Sequence, residues 1–185
     1  MRSRNLSLLV PYFLIVVVIP LLLSPAAFGQ AAPSAVPCDC SAYIVDPDPE
    51  GLNVRGGPGT TYPIVGELPT NRRIEITITG SNGVWMQISG AYVFVDNAPT
   101  GDVGMDLSGW VYGPLLAVTT RPSGRMLIPL YSEPDAASKV VVELPMETEV
   151  TLAGCKGEWV KVRYGDIEGW LDPDSHCGNP VTTCP

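Results

Sequence analysis

Leu52-Asn53-Val54-Arg55-Gly56-Gly57-Pro58-Gly59-Thr60-Thr61-Tyr62-Pro63 opens a unit that the chain writes twice. After it come Gly66-Glu67-Leu68-Pro69, then Trp85, then Gly109-Trp110-Val111. A second copy begins with Ile128-Pro129-Leu130-Tyr131-Ser132-Glu133-Pro134 and continues through Val142-Glu143-Leu144-Pro145, Trp159 and Gly169-Trp170-Leu171. Pro58 with Pro134, and Glu67-Leu68-Pro69 with Glu143-Leu144-Pro145, share one offset of 76 positions. Internal repetition at a fixed offset is the mark of tandem modules.

Within each copy the apolar residues recur with a period of two. Arg73-Ile74-Glu75-Ile76-Thr77-Ile78-Thr79 alternates, and Thr148-Glu149-Val150-Thr151-Leu152 alternates in the matching place, the pattern of half-buried strands. Turn signals punctuate them at Gly56-Gly57-Pro58-Gly59, Ser81-Asn82-Gly83, Lys156-Gly157 and Tyr164-Gly165-Asp166. With 19 Gly and 19 Pro and no helical stripe after the leader, the chain reads as all-β, two small antiparallel barrels in tandem.

The copies differ at one place. Trp159 and Trp170 stand 11 positions apart, Trp85 and Trp110 stand 25 apart, so the first copy carries an insert within 89–108. Tyr92-Val93-Phe94-Val95 alternates there and Asn97-Ala98-Pro99-Thr100-Gly101 turns, which predicts an extended hairpin. The expected organisation is a signal peptide or membrane anchor over 1–29, a linker over 30–41, a first module over 42–116 and a linker over 117–124. A second module follows over 125–174, then a Cys-containing tail over 175–185.

The leader has Arg2 and Arg4, an apolar run from Leu6 to Leu23, and small residues around Ala27, Gly29 and Ala31, the layout of a secretory signal peptide. An uncleaved anchor is the alternative, because Leu6 to Phe28 approaches the ~20 residues that span a bilayer. Either way the arginines stay inside and the body of the chain ends outside the cytoplasm. Without residues 1–29 the chain has nine basic and 19 acidic side chains, a formal charge of −10. That field disfavours nucleic acid, and the only membrane contact expected is through an uncleaved leader.

Five cysteines, Cys38, Cys40, Cys155, Cys177 and Cys184, are disulfide candidates in an oxidising compartment, and the odd count leaves one over. The pairing favoured here is Cys155 with Cys177, and Cys184 with Cys38 or Cys40. Cys38-Asp39-Cys40 is too tightly spaced for a zinc knuckle. Asp46-Pro47-Asp48-Pro49-Glu50 lacks the ligand spacing of an EF-hand and reads as a rigid solvated turn. Neither metal nor cofactor is expected.

Leu52 to Tyr62, the Gly-x-Leu-Pro strand, the Trp-x-x-Ile/Val strand and the closing Gly-Trp-Val together resemble a bacterial SH3-like domain. The first copy matches strongly. The second departs, with Tyr131 in the place of Arg55 and Ser138 in the place of Tyr62, which puts a ligand common to both in doubt. The resemblance implies small barrels of five or more strands, extracytoplasmic, often attached to cell-wall peptidases, binding wall peptides or other ligands without catalysis.

Strand alternation sets Trp85 with Gln87 against Met86 and Ile88, Trp110 with Tyr112 against Val111, and Trp159 with Lys161 and Arg163 against Val160 and Val162. If the aliphatics face the core, the aromatics face out as a recognition surface, or else cap the barrel ends. Candidate ligand-binding residues are Arg55, Tyr62, Trp85, Tyr92, Phe94, Trp110, Tyr112, Tyr131, Trp159 and Trp170. Arg55 is expected either to meet a ligand carboxylate or to pair with an acid such as Glu67.

No catalytic residue is assigned. The single histidine, His176, adjoins Cys177, and adjacent strand residues point apart, so a Cys177–His176 hydrolase is the least favoured reading. The expected function is a secreted or extracytoplasmic, non-enzymatic protein that recognises cell-wall peptide or peptidoglycan. Two modules on a short joint would raise avidity on a repetitive polymer. The alternative is an extracytoplasmic adaptor that recruits an envelope enzyme through protein–protein contact.

Overall fold

A computed structural model describes residues 34–95, 98–102, 107–121, 126–179 and 184. The expected signal peptide lies outside them. Among the described residues no helix is long and apolar enough to cross a membrane.

The first copy contributes β1 (Val36–Ile44), β2 (Leu52–Arg55), β3 (Ile64–Leu68), β4 (Arg73–Asn82), β5 (Trp85–Val95), β6 (Ala98–Asp102) and β7 (Gly109–Tyr112). The second contributes β8 (Leu116–Thr120), β9 (Leu127–Tyr131), β10 (Val140–Pro145), β11 (Glu149–Lys156), β12 (Trp159–Tyr164), β13 (Ile167–Leu171) and β14 (His176–Cys177). Short 3₁₀ turns at Gly113–Leu115 and Pro173–Ser175 follow β7 and β13.

Strand order runs β3-β2-β7-β5-β4-β1 through the first copy and β8-β11-β12-β13-β9-β10 through the second, joined at β1 and β8. Each strand thus finds its counterpart at the mirrored position, and the chain is all-β with two copies of one topology. The turns between long hairpins fall at Gly83, Gly157 and Gly165, with φ of 56°, 57° and 57°, conformations that glycine adopts without strain.

The alternating residues face inward as their period requires: Ile74, Ile76 and Ile78 on β4, Val150 and Leu152 on β11, and Val160 and Val162 on β12 are buried. One apolar cluster runs through both modules, from Leu52 and Leu68 to Leu130 and Leu171. Each fully buried Leu or Ile contributes about 1.5–3 kcal/mol, which two separate barrels of this size would find hard to supply alone.

Residues 36–41 and 117–120, expected as linkers, are strand. β1 and β8 pair antiparallel through Tyr43 with Ala117 and Ile44 with Leu116. The reason is that Leu116-Ala117-Val118 is buried throughout and needs a sheet on both sides. Around this seam the Tyr43 hydroxyl donates to Glu149 Oε2 at 3.0 Å and lies 2.8 Å from Thr119 Oγ1. Burial, then the Glu149 carboxylate, pushes the Tyr43 phenol up to about 12, so it remains a donor. Ser81 Oγ donates to the Cys155 carbonyl at 2.9 Å, a second buried bond between the copies.

The disulfides correct the favoured pairing. Cys38 bonds Cys155 and Cys177 bonds Cys184, with Cα separations of 5.8 and 5.7 Å, and Cys40 is free. Cys38 lies beside β11 because Asp39 N–H donates to the Gly157 carbonyl and Gly157 N–H to the Pro37 carbonyl. Cys177 instead sits opposite Thr119 on β8 and is bonded to Cys184.

In the described part of the insert, β6 pairs antiparallel with β5 through Ala98 with Val95 and Pro99 with Phe94. Beyond it, Leu107 packs on Gly66 so closely that a Cβ there would lie 2.3 Å from Leu107 Cδ1. The second copy has no such insert, and Val142 at the place of Gly66 packs against the core with its own side chain.

Candidate functional site

Arg55 ends β2, where it faces Ile64 across the β2–β3 pair and Trp110 across the β2–β7 pair. Its Nη1 donates to the carbonyls of Thr60 at 3.3 Å and Tyr62 at 3.0 Å. The expected pair with Glu67 does not form, since Glu67 faces Asn53 in the register and its carboxylate lies against Gly51. Arg55 therefore ties the loop 56–62 back onto its own strand.

Inside that loop the Tyr62 ring covers Gly57, where a Cβ would sit 2.3 Å from Tyr62 Cδ1. Gly57 is thus fixed by close approach, and Tyr62 acts as a brace for the loop.

Trp85 opens β5 and stands opposite Tyr112 on β7. Their ring centroids are 5.4 Å apart at an interplanar angle of 53°. Trp85 is half-buried and Tyr112 is 41% exposed, so the pair presents aromatic surface to solvent.

A cleft of about 570 Å³ lies over this pair. Asp46, Asp48, Asn53, Arg55 and Thr60 line it with them. Its size falls within the ~300–1,000 Å³ usual for small-ligand sites. Asp46 Oδ1 accepts from Asp48 N–H at 3.0 Å, Asp48 Oδ1 accepts from Glu50 N–H at 2.9 Å, and the Thr70 hydroxyl donates to the Asp48 carbonyl at 2.5 Å. The Asp-Pro-Asp-Pro turn, held by these bonds, also lines the cleft. No reading of the turn alone shows that, because the cleft is made by β2 and β7 bringing distant segments beside it.

Of the candidate residues, Arg55, Trp85 and Tyr112 line one cleft. Trp110, expected on the outer face with Tyr112, is only 6% exposed, while Tyr112 two residues on stays open. Tyr92 and Phe94 do not line the cleft. Tyr92 is 42% exposed on the hairpin, seven residues and about 20 Å along β5 from Trp85.

The second module carries Tyr131 in the place of Arg55. Tyr131 is 6% exposed, its ring edge-on to Trp159 at 5.7 Å between centroids, and Trp170 stands opposite it in the β9–β13 pair. Glu168 bonds Lys161 at 2.8 Å and Arg163 at 2.5 Å on the outer face of β12 and β13. Those bonds hold the Glu168 carboxyl below its ordinary range, Lys161 first.

The Cys177 sulfur is bonded to Cys184, which removes it as a nucleophile for His176. His176 Nε2 lies 3.2 Å from the Glu158 carbonyl. Burial, then Asp39, pushes the Cys40 thiol up to about 12, far from a reactive thiolate.

Comparison with known proteins places this architecture. The chain is 24% identical over 135 residues to the putative N-acetylmuramoyl-L-alanine amidase YrvJ of Bacillus subtilis (strain 168), covering 66% of this chain and 23% of the amidase. Two solved structures from Trichomonas vaginalis are similar to it. NlpC2 is 16% identical with a TM-score of 0.29 over 75% of this chain and 48% of its own. NlpC1 is 15% identical with a TM-score of 0.30 over 79% of this chain and 48% of its own. The chain thus spans about a quarter of the amidase and about half of each solved structure. The bacterial SH3 domain matches twice, over residues 50–117 and 128–176, and the chain belongs to that family.

Proposed function

We propose that the protein is an extracytoplasmic, non-catalytic binding protein whose first module takes a cell-wall peptide in the Trp85–Tyr112 cleft. The observation that carries this reading is the half-exposed aromatic pair at a cleft also lined by Arg55 and Asn53. Aromatic faces beside hydrogen-bonding groups suit an extended peptide, with large apolar contact and polar atoms that fix register. The wall-peptide class is supported by the amidase relative, whose name specifies an N-acetylmuramoyl–L-alanine bond. The leader supports export, and the acidic body argues against anionic polymers as the ligand.

The second module serves as a support that shares the core and the central strand pair. Its Tyr131 and Trp159 are engaged with each other, so binding is expected at one site per chain rather than by two-module avidity.

Cosedimentation of the oxidised protein with purified peptidoglycan tests this. Saturable pelleting is expected, lost in a Trp85→Ala, Tyr112→Ala variant whose circular dichroism matches the parent. Absence of pelleting across a salt series overturns the reading. The adaptor reading has one observation in its favour: Ile64 and Val65 on β3, and Val140 and Val141 on β10, are exposed on the two strands that end the sheet. Recovery of an envelope protein through β3 or β10, without wall binding, would favour it.

A further inference from the structure

Resting on the wall-peptide reading, we infer that the cleft of the first module recognises a primary ammonium group on its ligand. Asp46 and Asp48 supply the countercharge, and Trp85 and Tyr112 supply the aromatic face.

The balance of charge in the cleft carries the argument. Two carboxylates and one guanidinium line it, and among the described residues neither carboxylate has a cationic partner. Among the described residues the guanidinium forms no ion pair with either aspartate, its Nη1 being held by the loop carbonyls of Thr60 and Tyr62. Each aspartate uses Oδ1 to hold its turn, and among the described residues neither Oδ2 has a hydrogen-bond partner. Two aspartates without an ion pair and an aromatic pair therefore line one recess. A primary ammonium has three donors and a compact charge, which suits carboxylates on one side and an aromatic face on another. A neutral amide would leave the carboxylates without a countercharge.

The carboxylates do not make the site alone. They share the cleft with the exposed Tyr112 and the half-buried Trp85, and the same combination is lacking in the other copy. At the offset of 76, Pro122 and Gly124 stand for Asp46 and Asp48, and Tyr131 stands for Arg55. After the closing Gly-Trp pair, Asp172 stands for Tyr112. One ammonium site per chain follows.

Two sources of the ammonium share this chemistry, a free peptide N-terminus and an amine-bearing side chain. The test compares peptidoglycan with the same material treated with acetic anhydride, which converts primary amines to amides. Asp46→Asn, Asp48→Asn keeps the turn-holding oxygens and removes both charges. Glu133→Gln, Asp135→Asn removes two charges from the matching loop of the second module and controls for net charge. Acetylation is expected to weaken pelleting at least tenfold. The Asp46/Asp48 variant should be weakened equally on untreated wall and be indifferent to acetylation, with the Glu133/Asp135 variant like the parent.

Equal binding of treated and untreated wall, or an equal loss in the Glu133/Asp135 variant, overturns the inference while leaving wall binding intact. Pelleting with neither material removes the wall reading itself. The inference is then decided with the tetrapeptide Ala-Glu-Lys-Ala, free, Nα-acetylated, Nε-acetylated or doubly acetylated, followed by the Trp85 indole N–H signal. A shift lost on acetylating one nitrogen supports it and names the source. Equal responses to the free and doubly acetylated peptide, or none, overturn it.

Discussion

The Tyr131 ring packs edge-on against the Trp159 indole, centroids 5.7 Å apart, at the position where the first module carries Arg55 and keeps a cleft. The two modules therefore differ in what ends the first strand of the repeat, a loop-tying arginine in one and a buried aromatic in the other. Tyr131→Ala should cost about 3 kcal/mol in urea denaturation, the usual loss for a buried aromatic, and leave wall binding unchanged in folded protein. A large loss of binding with no loss of stability would mean that the second module is a ligand site.

Arg55 is expected to act on binding through the loop it holds. Arg55→Lys cannot reproduce a fixed planar donor group, so it should lower stability by about 1–2 kcal/mol and weaken peptide binding several-fold. The Thr60 and Tyr62 amide signals should broaden in the variant. Unaltered loop signals with weakened binding would instead indicate direct contact between Arg55 and the ligand.

The Cys38–Cys155 bond closes a span of 117 residues across the two modules. On chain-entropy grounds such a link contributes up to about 5 kcal/mol. Cys38→Ser, Cys155→Ser should therefore lower the midpoint of denaturation far more than Cys40→Ser. Peptide mapping should recover Cys38–Cys155 and Cys177–Cys184, with Cys40 labelled by iodoacetamide only after unfolding. Recovery of Cys155–Cys177 would refute the described arrangement.

Acid should weaken the fold partly through His176. Burial favours its neutral form and lowers its pKa from the ordinary 6.5. The nearby Asp172 and Asp174 act the other way, and Arg121 adds to the lowering. Its Nδ1 is buried without a partner. As pH falls below 6.5 the unfolded chain takes up this proton first, so stability present above that value is lost as pH drops through the folded pKa. Urea midpoints should fall between pH 7.5 and 5, and less steeply in His176→Gln. Equal slopes would exclude the histidine as a contributor.

Strand alternation and turn glycines made the hairpins legible, because Ile74, Ile76 and Ile78 are buried in the order their spacing requires. Linker positions misled because Leu116-Ala117-Val118 is too short a run to identify as a strand without its partner, Tyr43-Ile44, 72 to 74 positions earlier. The disulfides were hidden for the same reason, since the Cys38 bond depends on where β1 crosses to β11. Among the aromatics, alternation separated Trp85 from Met86 correctly. It failed at Trp110, which is 6% exposed although Tyr112, on the same face of β7 by alternation, is 41% exposed. Asp46 and Asp48 were legible as a turn, whereas their place on a cleft wall is a product of topology.

Four tryptophans give four indole N–H signals, and they occupy distinct environments: Trp85 at the cleft, Trp110 buried, Trp159 against Tyr131, and Trp170 on β13. Titration of the ¹⁵N-labelled protein with soluble wall muropeptides therefore tests the central claim directly. The account predicts a saturable shift of the Trp85 indole, together with amides of 46–48 and 55–60, while the Trp159 and Trp170 indoles stay in place. Shifts centred on Trp159 or Trp170, or no shift at millimolar muropeptide, would contradict it.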